Sequence, residues 1–332
     1  MGSLAPRPRR APGAAAPVRI RVAATEEGLM LGNLLARRIP ALDLERAREL
    51  VRAGGVYCGG IRTRTPQTRV VEGERIEVHL AADTRPSFDP EALHVVHHAD
   101  DLLIAYKPPG VPVQATRTSA RGTLAEGVRR WLERQGVARP YVGVVHRLDQ
   151  RAEGLVLFTV RSALGKSVHR MFVEHRIERT YLAEVHGEAP TACELDAPIV
   201  ETATGARLGH AHEPGAKPAR TTVTRLKLRP ASEGVTSLVR AELSTGRTHQ
   251  VRLHLAGAGL PIVGDHRYGR DAPAPAPAGP GTELGDDDDG TAAPHDPLRL
   301  CAAALRFTHP RTGAPLAFTA PLPAWAANAT LA

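Results

Sequence analysis

Three side chains that can do chemistry lie within four residues of one segment, VVHRLDQRAEGLVLF (144–158). They are His146, Arg147 and Asp149, and an apolar run from 155 to 158 follows closely. An unpaired carboxylate in a dry interior is costly, so buried strands normally exclude charge. Asp149 is therefore either a loop residue of no special role or an acid that the fold holds at the mouth of a core.

Two further segments concentrate reactive side chains, ERTYLAEVHG (178–187) and STGRTHQVRLHLAGAGLPIVGDHRYG (244–269). The spacing of His249 and His254 places them on opposite faces of a strand, or about 140° apart on a helix. Neither geometry offers both rings to one ion, and no HExxH motif is present, so we predict no metal site. A nucleophilic serine is disfavoured because the chain has no G-x-S-x-G motif. An aspartate, an arginine and a tyrosine remain as candidates for catalysis.

The last of these segments has the periodicity of a helix. Its shared face would comprise Val251, His254, Leu255 and Ala258. Gly259 would stand just past the end of the helix, with Pro261 shortly after it. Arg247 would then lie in the turn before the helix, where it could reach a buried carboxylate.

Length and composition limit the class of protein. The 332 residues suffice for two domains, and a hydrophobic fraction of 42% allows a substantial core. The three cysteines form no CxxC pair, which is typical of a reducing compartment. No apolar run approaches the roughly 18 residues of a membrane span. We therefore expect a cytoplasmic protein that does not enter a membrane.

The charge indicates a polyanionic partner. The net charge is +8, and every basic residue among the first 85 is arginine, which suits bidentate phosphate contacts. Nucleic acid is the first candidate for that partner. A genome biased toward arginine codons would also account for these residues, so this alternative stays open.

The N-terminal part predicts a compact basic module over 18–82, after a disordered basic tail over 1–17. Helical spacing predicts one helix from Leu31 to Ile39, and Asp43 can cap a second helix that ends at Gly54. Short strands are predicted at 55–60 and 75–80. The two helices carry Arg37, Arg38, Arg46, Arg48 and Arg52.

The rest of the chain, 83–332, predicts a larger domain without a regular βαβ rhythm. Helices are predicted over 122–136 and 160–175, and strands dominate from 179 to 243. We therefore expect an α+β domain with a mixed, mostly antiparallel sheet and flanking helices. The segment 271–297, with its Ala-Pro repeats and clustered acids, is predicted to be a flexible insertion.

Four motifs carry a resemblance to a known family. They are KPPGVPV at 107–113, HRLD at 146–149, RTYLAEV at 179–185, and the long block TGRTHQVRLHL to GDHRYG at 245–269. In this order they resemble RluA-type pseudouridine synthases, over roughly residues 90–320. The resemblance implies the pseudouridine synthase fold and the isomerisation of uridine to pseudouridine in RNA, with neither a cofactor nor a metal.

The resemblance assigns the chemistry to three side chains. Asp149 would act as an ionised carboxylate beside C1′ of the uridine, with Arg247 as its salt-bridge partner across the cleft. Tyr181 would stack under the uracil and could move the C5 proton. A paired base must flip out of its helix to reach such a pocket. Residues assigned to substrate binding are His146, Arg147, Leu148, Thr248, Arg252, Leu255 and Lys107.

The chain departs from the family pattern at two places. Glu153 follows Ala152 where the aspartate motif usually continues as T-S-G, and Cys301 stands where an L-H-A motif usually has histidine. We expect Glu153 to add a carboxylate near the rim of the cleft.

The N-terminal module resembles the S4 RNA-binding domain through GVYCGG (55–60) and EGE (72–74), although MLGN (30–33) replaces the usual R-L-D-K opening. We expect a monomer that modifies ribosomal RNA of the large subunit, with transfer RNA as a second possible substrate. One alternative function is a non-catalytic RNA-binding or ribosome-assembly factor on the same scaffold. Another is a nucleosidase or glycosidase, which would need a second carboxylate.

Overall fold

The computed structural model describes residues 17–80, 89–115, 120–202, 205–231, 234–269, 297–327 and 329. Apart from Pro17 and Pro297, the predicted tail and the predicted insertion lie outside these ranges. The described residues form two compact units, one with residues 17–80 and one with 89–115 and the residues from 122 onward. Within the described ranges, no helix has the length and apolar character needed to cross a membrane.

The first unit packs two helices against a four-stranded antiparallel sheet. Its elements are β1 (Val18–Arg21), α1 (Leu31–Arg38), α2 (Leu44–Ala53), β2 (Val56–Cys58), β3 (Ile61–Thr63) and β4 (Arg75–Val78). The strand order is β1-β4-β2-β3. Both predicted helices are confirmed: the Asp43 side chain accepts a hydrogen bond from the backbone N of Arg46 at 2.7 Å, and Gly54 ends α2 in the left-handed conformation.

The second unit contains most of the chain. It comprises β5 (His94–Ala99), β6 (Leu102–Lys107), α3 (Leu124–Arg134), β7 (Gly143–Val144), β8 (Glu153–Thr159), α4 (Ser162–Val173), β9 (Glu178–His186), β10 (Ala192–Leu195), β11 (Ile199–Thr202), β12 (Gly205–Leu208), β13 (Ala216–Lys217), β14 (Thr221–Ala231), β15 (Gly234–Leu243), α5 (Gln250–Gly257), β16 (Leu300–Thr308) and β17 (Pro315–Thr319). The helices predicted over 122–136 and 160–175 are confirmed as α3 and α4.

One large sheet organises this unit. Its strand order is β10-β14-β15-β9-β16-β8-β6-β5, with β17 paired to β16 and β7 paired to β8. Among the described strands only β16 and β8 pair in parallel, so the predicted mixed, mostly antiparallel sheet is confirmed. The order also places β16 between β8 and β9, the strands nearest to Asp149 and Tyr181 along the chain. β11, β12 and β13 form a separate small sheet.

The helix predicted within the third reactive segment is confirmed as α5. Gly259 lies just past its end with φ of 75°, a left-handed conformation that glycine adopts without steric cost. The first six residues of α5, from Gln250 to Leu255, are all buried. A polar side chain on this helix must therefore find its partners inside the protein.

Candidate active site

A cavity of about 340 Å³ lies where the β7–β8 loop, α4, β9 and the start of α5 meet. Its volume is in the range of small-molecule sites. The residues around it include His146, Arg147, Leu148, Asp149, His169, Phe172, His175, Arg179, Tyr181, Arg247, Thr248, His249 and Arg252. The structure therefore brings the three predicted catalytic residues to one cavity, although they are up to about a hundred positions apart in the chain.

Asp149 forms its ion pair with Arg252. The Oδ2 atom of Asp149 accepts a hydrogen bond from Arg252 at 3.0 Å, and its Oδ1 atom lies 3.9 Å from Nε2 of His249. The other edge of the Arg252 guanidinium donates to both oxygens of Asp265, at 2.8 and 2.9 Å. The Asp265 side chain has no exposed surface. One guanidinium thus joins two carboxylates and is held in place by the buried one.

This arrangement keeps Asp149 ionised. Burial by itself would raise the pKa of Asp149, but His249 and Arg252 outweigh it and hold that pKa below its ordinary value. Burial would also raise the pKa of Asp265, and the hydrogen bonds from Arg252 hold it low. The Asp149 side chain remains 19% exposed. The site therefore presents a charged oxygen to the cavity at neutral pH.

The predicted salt bridge between Asp149 and Arg247 is wrong. Nε of Arg247 donates to the carbonyl of Pro218 at 3.1 Å, and its side chain lies at the edge of the cavity. The reason is local geometry. Arg247 is in the turn before α5, whereas Arg252 is on the buried surface of the helix and points inward. Both arginines belong to the same motif, and sequence reasoning chose the more exposed of the two.

Tyr181 lies on β9 with an alanine on either side. Its direct cross-strand partners, Ala241 on β15 and Ala302 on β16, are both small. Burial raises the pKa of Tyr181, which keeps the phenol neutral. The ring therefore forms a flat wall of the cavity, and its hydroxyl group stays protonated.

Lys107 does not bind substrate in the way predicted. Its side chain is fully buried, and Nζ donates to the carbonyls of Pro108 at 3.0 Å and Gln150 at 2.7 Å. Gln150 directly follows Asp149, so the Lys107 ammonium fastens the loop that carries Asp149 to the end of β6. Leu255 is also misassigned, because it is fully buried in the core and is not among the residues around the cavity.

The other predicted binding residues reach the cavity in different ways. Arg147 is exposed, while Leu148 is buried and contributes to the apolar wall. Thr248 lies at the edge, with its hydroxyl 3.4 Å from Glu201. The His146 ring stacks on Phe172, and its Nε2 accepts the backbone N–H of Leu157 at 2.9 Å. This hydrogen bond extends the pairing of β8 past the last residue of β7. His146 therefore helps to hold the β7–β8 loop in place.

Sequence reasoning missed two charged residues. Asp265 fixes Arg252, and it is the aspartate of the GDHRYG part of the long motif. Arg179 borders the cavity two residues before Tyr181, on the same face of β9. It donates to the carbonyl of Thr245 at 2.9 Å, and its guanidinium lies 5.8 Å from the Phe172 ring centre. The R-x-Y spacing could have identified Arg179.

The expectation that Glu153 lies at the rim of the cleft is wrong. Glu153 begins β8, and its carboxylate accepts hydrogen bonds from the Tyr106 hydroxyl and from Nε1 of Trp325, the latter at 2.9 Å. It stands opposite Cys301 in the parallel pair of β8 with β16. The two departures from the family pattern are therefore neighbours in space. Glu153 is not among the described residues around the cavity, where Asp149 is the one carboxylate, so these residues do not form the carboxylate pair of a glycosidase.

Two solved human structures share the fold: RNA pseudouridylate synthase domain containing 1, with a TM-score of 0.54 and 23% identity, and domain containing 4, with 0.55 and 22%. The matches cover 72% and 71% of this chain, and 87% and 92% of those chains. These likenesses show the pseudouridine synthase fold.

The sequence comparisons then establish the family. Residues 101–257 match the family model described as RNA pseudouridylate synthase. Ribosomal large subunit pseudouridine synthase D of Pasteurella multocida is 31% identical over 299 residues, covering 89% of this chain and 88% of that protein. Ribosomal large subunit pseudouridine synthase C of Yersinia pestis is 30% identical over 321 residues, covering 91% of each.

The chain belongs to the RNA pseudouridine synthase family, as its motifs predicted, and it is an enzyme that isomerises uridine in RNA to pseudouridine. A non-catalytic role on the same scaffold is not favoured.

Proposed function

We propose that this enzyme modifies uridines of large-subunit ribosomal RNA and that Asp149 acts at the glycosidic carbon. The observation that carries the proposal is an ionised Asp149, paired with Arg252 in a cavity that also contains Tyr181. The choice of RNA is supported by relatives named as ribosomal large subunit synthases that match nearly the whole chain.

The reaction requires an anionic oxygen. The C1′–N1 bond breaks, the base turns, a C5–C1′ bond forms, the C5 proton leaves to solvent, and N1 takes up a proton from solvent, so the product is an isomer of the substrate. Attack on C1′ and removal of a neighbouring sugar proton both need an ionised carboxylate, which Asp149 supplies. Arg252 and His249 act through Asp149 by keeping it charged. Tyr181 offers its ring to the uracil and its hydroxyl to the proton at C5.

The substrate nucleotide must leave its helix to reach this cavity, at a cost of a few kcal/mol. Arg147 is exposed beside Leu148, and we expect its side chain to fill the vacated position in the RNA. Arg179 and Arg247 border the same cavity and are suited to phosphates next to the flipped base. Thr248 adds a hydroxyl at the edge.

We also propose that residues 18–82 form an S4-like RNA-binding module. Two helices packed on a small antiparallel sheet, with arginine as the basic residue throughout, support this assignment. We propose a cytoplasmic location, since free cysteines are typical of a reducing compartment. We also propose that the enzyme is a monomer.

The test uses ribosomal RNA transcribed with 5-tritiated uridine. Wild-type enzyme should release tritium without free uracil, whereas a hydrolase would release uracil. Asp149→Asn should lower kcat by at least about a hundredfold, with unchanged RNA affinity. The matched control is Asp89→Asn, which changes an exposed carboxylate distant from Asp149 in the sequence. This variant should retain full activity. Turnover by Asp149→Asn at the wild-type rate would refute the assignment of Asp149.

The target is tested separately in cells. Pseudouridine is mapped in all stable RNA from strains with and without the gene. Loss of a site in large-subunit ribosomal RNA is the expected result. Loss of sites in transfer RNA alone would overturn the choice of substrate and leave the chemistry intact.

A further inference from the structure

The sheet of the first unit has one face covered by its own helices and another that carries arginines. Ile20 on β1 and Ile76 on β4 are paired and buried with the core of α1 and α2. Side chains alternate along a strand. Arg19, Arg21 and Arg75 therefore project from the opposite face, and all three are exposed.

Two of these arginines face one another. Arg21 and Arg75 are direct partners in the antiparallel pair of β1 with β4. Among the described residues, neither forms an ion pair with a carboxylate. Like charges directly opposite each other destabilise a sheet. An anionic ligand lying across both guanidinium groups would turn this repulsion into attraction.

The same face continues across all four strands. A row runs from Arg19 through Glu77 and Tyr57 to Arg62. Arg62 donates from Nε to the Tyr57 hydroxyl at 3.1 Å, and its guanidinium lies 5.1 Å from the Tyr57 ring centre, so its orientation is fixed. Glu77, the carboxylate within the row, lies 3.7 Å from Arg19 and 2.9 Å from His79.

This face also has a groove of about 700 Å³. Arg19, Arg21, Tyr57 and Arg75 are among the residues that line it. The groove gives a polymer room to lie along the arginines, which a flat patch of charge would not.

The arginines of the helices differ in their partners. On α2, Arg46 pairs with Glu49 at 3.1 Å, while Arg48 and Arg52 pair with Glu45 at 3.8 and 3.3 Å. Each arginine of α2 therefore has a carboxylate at ion-pair distance, although Arg48 and Arg52 share Glu45. Among the described residues, Arg21 and Arg75 of the sheet have no such partner, and of the arginines on α1 and α2 only Arg37 on α1 shares this.

We propose that the outer face of this sheet, formed by Arg19, Arg21, Arg62 and Arg75 around Tyr57, binds the phosphate backbone of RNA. The proposal rests on the proposed RNA-binding function of residues 18–82 and assigns it to a surface. RNA is the polyanion chosen because the same chain is an RNA-modifying enzyme. Guanidinium groups suit bidentate contacts to phosphate.

The experiment compares two variants of the full chain that lose the same charge. Arg21→Gln with Arg75→Gln removes the facing pair, and Arg46→Gln with Arg48→Gln is the matched control on α2. Affinity for in-vitro transcribed large-subunit ribosomal RNA is measured over a series of KCl concentrations. The sheet variant should bind RNA roughly tenfold more weakly. The plot of log K against log salt should also be less steep, with the magnitude of its slope reduced by roughly two. The control should stay within about twofold of wild type.

Thermal unfolding gives a second readout. The sheet variant should have an unchanged or higher Tm, because a repulsive pair has been removed, while its RNA affinity falls. A lower Tm would show that the arginines support the fold and would overturn the proposal. Equal losses of affinity in both variants would also overturn it, because net charge alone would then explain binding.

The failure of this inference can be distinguished from failure of the proposed function. In the tritium-release assay the sheet variant should show a raised KM for RNA, whereas the Arg46→Gln, Arg48→Gln control should keep the wild-type rate. If wild type modifies ribosomal RNA and the sheet variant binds it equally well, only the assignment of the surface is lost. If wild type neither binds nor modifies that RNA, the proposed function itself fails.

Discussion

Arg252 lies between two carboxylates, with one N–H on Asp149 at 3.0 Å and a bidentate grip on Asp265. Its side chain is only 7% exposed. The planar guanidinium allows the two contacts to be made at once, which a lysine ammonium cannot reproduce. Asp265 holds the Arg252 guanidinium in position, and the guanidinium in turn keeps Asp149 ionised.

Arg252→Lys should therefore lower kcat by roughly a hundredfold while RNA affinity changes little. Arg247→Lys is the control from the same motif, and it should mainly raise KM because Arg247 lies at the cavity edge. Steady-state tritium release measures both parameters. Equal effects of the two substitutions on kcat would contradict the ion-pair geometry.

The pH dependence of kcat should reveal the same contact. In the wild type, His249 and Arg252 hold the pKa of Asp149 below 3.8, its ordinary value, so activity should not fall through loss of its charge above that pH. In Arg252→Gln, the charge and the hydrogen bond of Arg252 are both lost, so the pKa of Asp149 rises and the acidic limb should move to higher pH. A pH profile of single-turnover rates checks the direction. If the acidic limb of the pH profile does not move, Arg252 does not control the ionisation of Asp149.

Asp265→Asn should destabilise the protein as well as slow it. The substitution leaves Arg252 buried with one carboxylate fewer, and breaking a buried pair costs about 3 kcal/mol or more. Urea unfolding measures the loss. Asp196→Asn, outside this network, is the control and should stay within about 0.5 kcal/mol of wild type.

His146 should make stability depend on pH. Burial, with Arg179 nearby, lowers its pKa from 6.5 to about 3 in the folded state. The unfolded chain binds a proton below 6.5 that the folded chain rejects, so stability falls as pH decreases from 6.5 toward 3. The loss between about pH 7 and pH 5 should be about 2 kcal/mol. Urea unfolding at both pH values should show a smaller loss in His146→Gln, and equal losses would contradict this account.

Glu153 and Cys301 should be energetically coupled. Glu153→Ser would leave the Tyr106 hydroxyl and the Trp325 N–H without their acceptor, at a cost of about 1–3 kcal/mol. Cys301→His would crowd the buried position opposite Glu153. Together the substitutions restore the residue types usual in the family, and the double variant should be more stable than the sum of single effects predicts. A double-mutant cycle by urea unfolding measures the coupling, and strict additivity would refute it.

The sequence was sufficient to predict the parts of the site that depend on local pattern. The position of α5 and its glycine end follow from helical spacing, and the motifs located Asp149 and Tyr181 at one cavity. The choice between Arg247 and Arg252 depends on how α5 is rotated against β14 and the Asp149 loop. The partners of Glu153 depend on contacts with Tyr106 and Trp325, which are 47 and 172 positions away. Contacts between residues so far apart in the sequence leave no local pattern from which they could be predicted.

The place of β16 in the large sheet has a consequence for biosynthesis. This strand starts at Leu300 and separates the strand that follows Asp149 from the strand that carries Tyr181. The nascent chain therefore cannot assemble the cavity around Asp149 and Tyr181 until residues 300–308 have left the ribosome exit tunnel. Until then β16 cannot pair with β8 and β9, so each of these strands has an unpaired edge. Such non-local pairing is typical of slow folding and of aggregation-prone intermediates. Chains truncated before residue 300 should accumulate as inactive, chaperone-dependent species.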